Sequence, residues 1–285
     1  MSTRTPVDPA SLDGGDAAPS DRVFQLAVAV YGGVLLAGTA ATIAALIDDW
    51  PVGLVETYTG GFLAGFVGGA VISQVDPLLP VRLGRTLVRR LALVLPSVVF
   101  VGLWLVPLES PAGRVALLSA VLVVATGHVL SQLAGNRYVD AVTPGDPDET
   151  WRWEPSGSVA LDLFLAGMWV LLALANAVTG TWLEALFWLV IGSGWVASCL
   201  AEGRWPFGPG RDRCELQCYE SGLVKRQPYT KTFVPWADVD HVRLRGDELV
   251  LDRGLGDVRF ERDELEDPEA VLEAVDERVL AIGGR

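Results

Sequence analysis

Apolar and polar positions divide the chain into an apolar part that ends near residue 201 and a polar part that follows it. Six apolar runs occupy residues 23–47, 52–75, 91–108, 115–134, 159–178 and 182–201. Each falls within the about 17 to 25 residues that a helix needs to cross hydrocarbon. Because a bilayer offers backbone groups no water, such runs must be helical. The pattern therefore predicts an all-α bundle of six transmembrane helices over residues 22–203.

The second run is the weakest, since Glu56 and many glycines interrupt it. The arginine distribution supports a membrane crossing by this run. Four arginines lie within residues 82–90 after the run, whereas the loop before it carries Asp48 and Asp49. Basic residues collect on the cytoplasmic side, so the chain must cross between these loops. Near the span ends, only Arg114 falls on the outer side. This asymmetry predicts a multi-pass protein of the cell membrane with both termini in the cytoplasm.

Composition adds an unusual charge balance to this architecture. There are 35 acidic and 22 basic residues, and only Lys225 and Lys231 are lysines. Such an acidic, lysine-poor chain resembles proteins of extreme halophiles, and drift in a GC-rich genome is the alternative. At about 1 M salt the Debye length is about 3 Å, so the net charge of −13 says little about partners. Residues 1–21 have almost no aliphatic content and are predicted to be a disordered acidic tail.

The polar part changes to a period of two after a linker at residues 204–211. Cys214, Leu216 and Cys218 alternate with polar residues, which is typical of a half-buried strand, and four further strands are predicted near 232–234, 239–245, 248–252 and 258–261. Asp267 and Pro268 are suited to begin a final helix. Its apolar face is formed by Val271, Leu272, Val275 and Val279. The pattern predicts an α+β domain at residues 212–285.

This domain resembles the bacterial and archaeal pleckstrin-homology-like (PH-like) domains of membrane-tethered proteins. The resemblance rests on the segment Pro235-Trp236-Ala237-Asp238-Val239, a strand ending in Arg259-Phe260-Glu261, and the helix after Asp267-Pro268. It implies a cytoplasmic, partly open antiparallel β-barrel capped by the last helix, with Trp236 in its core. Seven strands are usual in such domains. The two that the pattern lacks would be 223–227 and a piece of the linker, and a generic α+β tail is the alternative.

The motifs of catalytic and cofactor sites are missing from the sequence, so it predicts neither an enzyme nor a cofactor. Acidic residues outnumber basic ones after residue 204, which disfavours nucleic-acid binding. Cys199, Cys214 and Cys218 lack neighbouring ligands for a metal and are expected to be core residues.

Polar residues within the spans are the candidates for intramembrane chemistry. His128, with Ser131 and Gln132, forms a polar stripe on the fourth span that is expected to face another helix. A proton-relay or ligand role is the alternative to interhelical hydrogen bonding. Asp162 lies near the start of the fifth span, where it is expected to reach headgroups or water.

Two features of the spans concern helix packing. Gly61, Gly65 and Gly69 recur every four residues, and such a face lets helix backbones approach closely. A packing seam is therefore expected there, and a substrate path is the alternative. Pro96 is expected to kink the third span locally.

One basic cluster remains, at Lys225, Arg226 and Lys231, which is a candidate for contact with membrane lipids or a protein partner; the alternative is a solvated hairpin.

The leading hypothesis is a non-enzymatic six-helix anchor that presents a cytoplasmic PH-like interaction module, with membrane lipids, a protein partner or a second copy as its contacts. The alternative is a small transporter or channel with a regulatory cytoplasmic domain.

Overall fold

The computed structural model describes residues 22–47, 49–106, 111–155, 157–205, 213–254 and 256–283, so the predicted tail at 1–21 and most of the predicted linker lie outside it. The helices within these ranges are α1 (Arg22–Leu46), α2 (Leu54–Val75), α3 (Leu79–Gly84), α4 (Leu87–Ala92), α5 (Pro96–Leu105), α6 (Ala112–Val142), α7 (Val159–Val178), α8 (Trp182–Ala201) and α9 (Pro268–Gly283). The strands are β1 (Glu149–Arg152), β2 (Glu215–Tyr219), β3 (Gly222–Arg226), β4 (Lys231–Pro235), β5 (His241–Arg245), β6 (Glu248–Asp252) and β7 (Val258–Glu261).

Five helices of the described part are long and apolar enough to cross a membrane: α1, α2, α6, α7 and α8. They coincide with five of the six predicted spans, and the bounds of α7 and α8 agree with prediction to the residue. Backbone groups in hydrocarbon are satisfied inside each helix, which is why the apolar runs became helices. These helices fit a multi-pass membrane protein.

The third predicted span is divided between α4 and the ten-residue α5. Pro96 is the first residue of α5, and α4 ends at Ala92. A proline lacks an N–H, and its ring clashes with the carbonyl four residues earlier, which here belongs to Ala92. Turns connect the two helices, with the Leu95 amide donating to the Leu91 carbonyl at 3.0 Å. The expected local kink is therefore a break between two short helices.

The glycine face of α2 packs against α1. A Cβ added at Gly61 would lie 2.9 Å from the Cα of Ala37, and one at Gly65 would lie 2.2 Å from the carbonyl oxygen of Gly32. At Gly69 the distance to the carbonyl oxygen of Val28 would be 2.7 Å. The two backbones are thus in direct contact at these positions, because the three glycines of α2 present no side chain there.

We expect Gly65→Leu to lower the thermal stability of the protein in detergent strongly, because its side chain must push α1 and α2 apart. The control is Gly60→Leu on the same helix, where an added Cβ meets nothing within 4 Å. Thermal unfolding of both variants checks this. Equal midpoints for the two leucine variants would show that the α1–α2 contact does not depend on Gly65.

The connection between the fourth and fifth predicted spans contains regular secondary structure. Helix α6 continues for two further turns past the predicted end at 134, to Val142, and residues Glu149–Arg152 form strand β1. Val139 is buried on this helical extension, while Arg137 and Asp140 are exposed. The extension is thus amphipathic, and it contacts β4.

The strands form two antiparallel sheets, of order β1-β2-β3-β4 and β5-β6-β7. Trp151 of β1 pairs with Leu216 of β2, and an isolated bridge between Trp153 and Leu265 joins the two sheets. Strand β3 occupies the segment that was expected to supply a sixth strand. The seventh, β1, precedes α7 and does not come from the linker.

The core between the sheets and α9 agrees with the predicted one. Trp236 is 2% exposed and donates its indole N–H to the Tyr219 carbonyl at 2.9 Å. Val271 and Val275 of α9 are fully buried there, with Leu272 and Val279 packed at the edge. The Asp267 carboxylate accepts the Ala270 amide at 2.9 Å, as expected of the residue that begins this helix. These predictions are confirmed.

Strand β1 precedes α7, strand β2 follows α8, and the two strands pair with each other. The α7–α8 hairpin is therefore inserted into the connection between the first two strands of the sheet. The sheet domain thus consists of β1 together with residues 213–283, and two points of the chain join it to one pair of apolar helices.

Candidate functional site

The junction between the apolar helices and the sheet domain is built around Asp162. Ser158 caps α7 by accepting the Leu161 amide, which places Asp162 in the first helical turn, where the helix dipole favours a carboxylate. Asp162 is fully buried; it accepts a hydrogen bond from the Arg204 guanidinium at 2.9 Å and one from the Trp205 indole at 3.3 Å. The expectation that Asp162 reaches headgroups or water is wrong, because residues that follow α8 cover it. The start of α7 is thereby fastened to the end of α8.

A second contact holds the β3–β4 hairpin on the extension of α6. The Asn136 side chain donates to the Tyr229 carbonyl at 2.8 Å and accepts the Lys231 amide at 2.8 Å. The Lys231 ammonium pairs with Asp140. Since one asparagine satisfies two backbone groups of the hairpin, the sheet domain is held in one orientation relative to α6.

Lys225 lies inside the domain, between two aromatic rings. Its ammonium is 4.4 Å from the ring centre of Trp153 and 4.7 Å from that of Phe260. The Trp153 indole donates to Glu264 at 3.3 Å, so a carboxylate stands close to the same ring. Each cation–π contact is worth about 0.5 to 2 kcal/mol, more when water is excluded. Lys225 therefore ties β3 to β7 and to the segment after β1.

Burial lowers the pKa of the Lys225 ammonium below its usual range, and the charge of Glu264 opposes this. Between that lowered value and the about 10.4 of an unfolded lysine, the unfolded chain binds more protons, so stability rises with pH. We expect wild type to gain stability relative to Lys225→Met across this alkaline window. Thermal unfolding of both proteins at neutral pH and near pH 10 checks this; a difference that does not change with pH would contradict it.

The three predicted basic residues do not share one surface. Arg226 stands opposite Lys231 across the β3–β4 ladder and lies 3.6 Å from Glu215, whereas Lys225 points to the opposite, inner face. Because Lys231 is engaged with α6, only Arg226 of the set is exposed. The structure uses two of these cations for internal contacts.

His128 and Gln132 lie on a face of α6 that the other described helices do not fully cover. His128 is exposed and Gln132 half-buried. The expectation that the histidine faces another helix is therefore not met within the described bundle. Two cavities among the apolar helices, of about 320 and 370 Å³, are lined by other residues, almost all of them apolar.

All three cysteines are buried, as expected of core residues. Burial raises the pKa of the Cys218 thiol to about 11, so it stays protonated and unreactive at neutral pH. Among the residues that the structure describes, no three His, Cys, Asp or Glu side chains are grouped to hold a metal.

Sequence reasoning missed Trp151, Trp153 and Arg204. A signal for the first two was present, because Thr150-Trp151-Arg152-Trp153 alternates polar and aromatic residues. For Arg204 there was none, since its partner Asp162 is 42 residues away.

No family model matches the chain, and neither a curated protein nor a solved structure matches it.

Proposed function

We propose that this protein is a membrane anchor that presents a cytoplasmic PH-like module for protein contact. The described residues form seven antiparallel strands in sheets of four and three, with α9 packed against them, and this supports the PH-like assignment. The proposal includes six membrane crossings, with α4 and α5 together forming the third, and both termini in the cytoplasm, which the arginine asymmetry favours.

The observation that carries the proposal is the insertion of the α7–α8 hairpin between β1 and β2. A domain tethered by one linker would move freely relative to the membrane. Here only six residues separate β1 from α7, and the Asp162–Arg204 pair and Asn136 add fixed contacts. Rigid mounting suits a module whose role is to hold a partner at a defined position.

Strand β5 is the side of the module that best suits a protein partner. It is an edge strand, since it pairs only with β6 in the described sheet. Arg243 and Arg245 are exposed, while Val242 and Leu244 are half-buried beside α9. An unpaired edge next to apolar side chains can accept an extended peptide as an added strand. The β3–β4 hairpin is less suited, because α6 covers part of it.

A second copy is a further partner that one observation favours. His128 is polar and lies exposed near the middle of an apolar helix, which is costly in hydrocarbon. A facing α6 from another copy would give it and Gln132 hydrogen-bond partners. The transporter alternative lacks comparable support, since the described apolar cavities do not include these residues.

The acid-rich composition supports a working environment of concentrated salt. Exposed carboxylates cover one side of α9, including Glu269, Glu273 and Glu277. Partner recognition would then depend on direct contact and backbone pairing, because molar salt screens longer-range attraction.

Photo-crosslinking in native membranes tests the proposed partner side. A photoreactive amino acid replaces Arg245 on β5, and a matched variant carries it at Glu273 on the exposed side of α9. We expect a protein adduct from the β5 position alone. Adducts from neither position, or equally from both, would contradict the β5 assignment.

Reporter fusions at Asp48 and Gly180 should be external and one at Arg285 internal; an external C-terminus would overturn the cytoplasmic placement.

A further inference from the structure

An apolar cavity of about 370 Å³ lies between α1, α2 and α6, at the end of the bundle next to α3 and α4. Gly32, Gly65 and Gly68 form one side of it, and Leu83 and Leu93 lie at its end. Its volume is within the range of about 300 to 1,000 Å³ that is usual for small-molecule sites. The absence of side chains on the glycines creates this groove.

The groove has room and offers almost no polar contact. A Cβ added at Gly68 would meet nothing within 4 Å, in contrast to the tight contact at Gly65. Tyr31 is the one polar side chain in its lining, and its hydroxyl already donates to the Leu93 carbonyl at 2.8 Å. The chemistry of the lining therefore suits a hydrocarbon chain.

Positive charge is concentrated where α3 and α4 close the groove. Arg82 pairs with Asp76 at 2.8 Å, while the Arg89 guanidinium donates to the carbonyl of Arg82 at 2.8 Å. Arg90 donates to the Gly84 carbonyl at 2.9 Å. Arg85 is exposed and has no hydrogen-bond or ion-pair partner among the described residues. Among the described residues, Asp76 pairs with one of these four arginines, and the other three form no ion pair.

We propose that this region binds one anionic membrane lipid, with its phosphate at Arg85 and Arg89 and a hydrocarbon chain in the groove. Leu83 lines the groove, and the Arg89 guanidinium contacts the carbonyl of the preceding residue, Arg82, so a cation lies beside the apolar lining. A guanidinium matches phosphate through paired hydrogen bonds, which makes direct contact effective even in high salt. Exposed apolar residues of α4, Leu87 and Val88, place this segment at the hydrocarbon boundary.

Two variants separate this site from general attraction of arginine to anionic membranes. Gly68→Leu adds a side chain to the groove lining at a position where a Cβ meets nothing within 4 Å, and Gly60→Leu, also in open space on α2 but outside the groove, is its control. Arg85→Gln with Arg89→Gln removes the headgroup contacts, and Arg114→Gln, at the opposite end of the bundle, is the control. The full chain is delipidated in mild detergent and titrated with phosphatidylglycerol, and native mass spectrometry counts bound lipid.

We expect wild type and both controls to bind one phosphatidylglycerol in preference to phosphatidylcholine. Gly68→Leu and the double arginine variant should each lower the affinity about tenfold or more. Normal binding by Gly68→Leu would overturn the proposal, since the arginines would then attract lipid without the groove. Binding that appears only after deletion of residues 2–20 would also overturn it, because the acidic N-terminal segment would then be the occupant of the arginines.

Discussion

Residues 213–285, expressed alone, should fail to fold, whereas the same segment joined to residues 146–155 should form a stable soluble domain. The short fragment lacks β1, which leaves one edge of β2 unpaired and removes Trp151 and Trp153, 8% and 4% exposed, from the core. Loss of one large buried side chain typically costs about 3 to 5 kcal/mol, and total stability is only about 5 to 15 kcal/mol. Two such losses are enough to unfold a domain of this size.

The joined protein is feasible because the two segments already lie side by side. The Trp153 amide donates to the Cys214 carbonyl at 3.1 Å, so a short Gly-Ser linker can replace the α7–α8 hairpin. Thermal unfolding by circular dichroism measures the outcome. The matched control carries Trp151→Ala and Trp153→Ala in the added segment and should behave like the short fragment. A short fragment as stable as the joined protein would show that β1 is not an integral part of the domain.

Arg204→Met should be among the most destabilising single substitutions in the chain. It removes the cationic partner of a fully buried carboxylate, Asp162, and breaking a buried pair in this way typically costs about 3 to 5 kcal/mol. The double variant Asp162→Asn, Arg204→Met removes the stranded charge as well. We therefore expect the double variant to be more stable than Arg204→Met, with thermal unfolding of the full chain in detergent as the measurement.

Glu202 supplies the control for this pair, because it lies 3.6 Å from the same arginine but is 43% exposed. Exposed ion pairs contribute about 0 to 1 kcal/mol, so Glu202→Gln should change the unfolding midpoint little. Strictly additive effects of Asp162→Asn and Arg204→Met would mean that the two side chains are not energetically coupled.

The spacing of apolar residues predicted most of the helices because each depends on its own sequence. Hydrocarbon length and the 3.6-residue period are local constraints, and they placed α7, α8 and the start of α9 correctly. Pro96 was also recognised, but whether a proline bends or divides a helix depends on the surrounding packing. Here it separates α4 from α5.

The candidate site was less predictable, since its contacts join distant segments. Asp162 was identified by type, yet its burial depends on Arg204 and Trp205, which reach it only when α7 and α8 are paired. Lys225 was recognised as one of two lysines, but its position between Trp153 and Phe260 requires both sheets to be assembled.

By itself, then, the sequence determined where the chain can enter hydrocarbon and which residues form the core face of the last helix, because period and apolarity are properties of contiguous residues. Only the tertiary structure decided that Glu149–Arg152 completes the sheet across the α7–α8 hairpin. A four-residue strand has too little apolar surface to specify its partner alone. Its pairing depends on the two apolar helices that bring its partner strand β2 back to the same place.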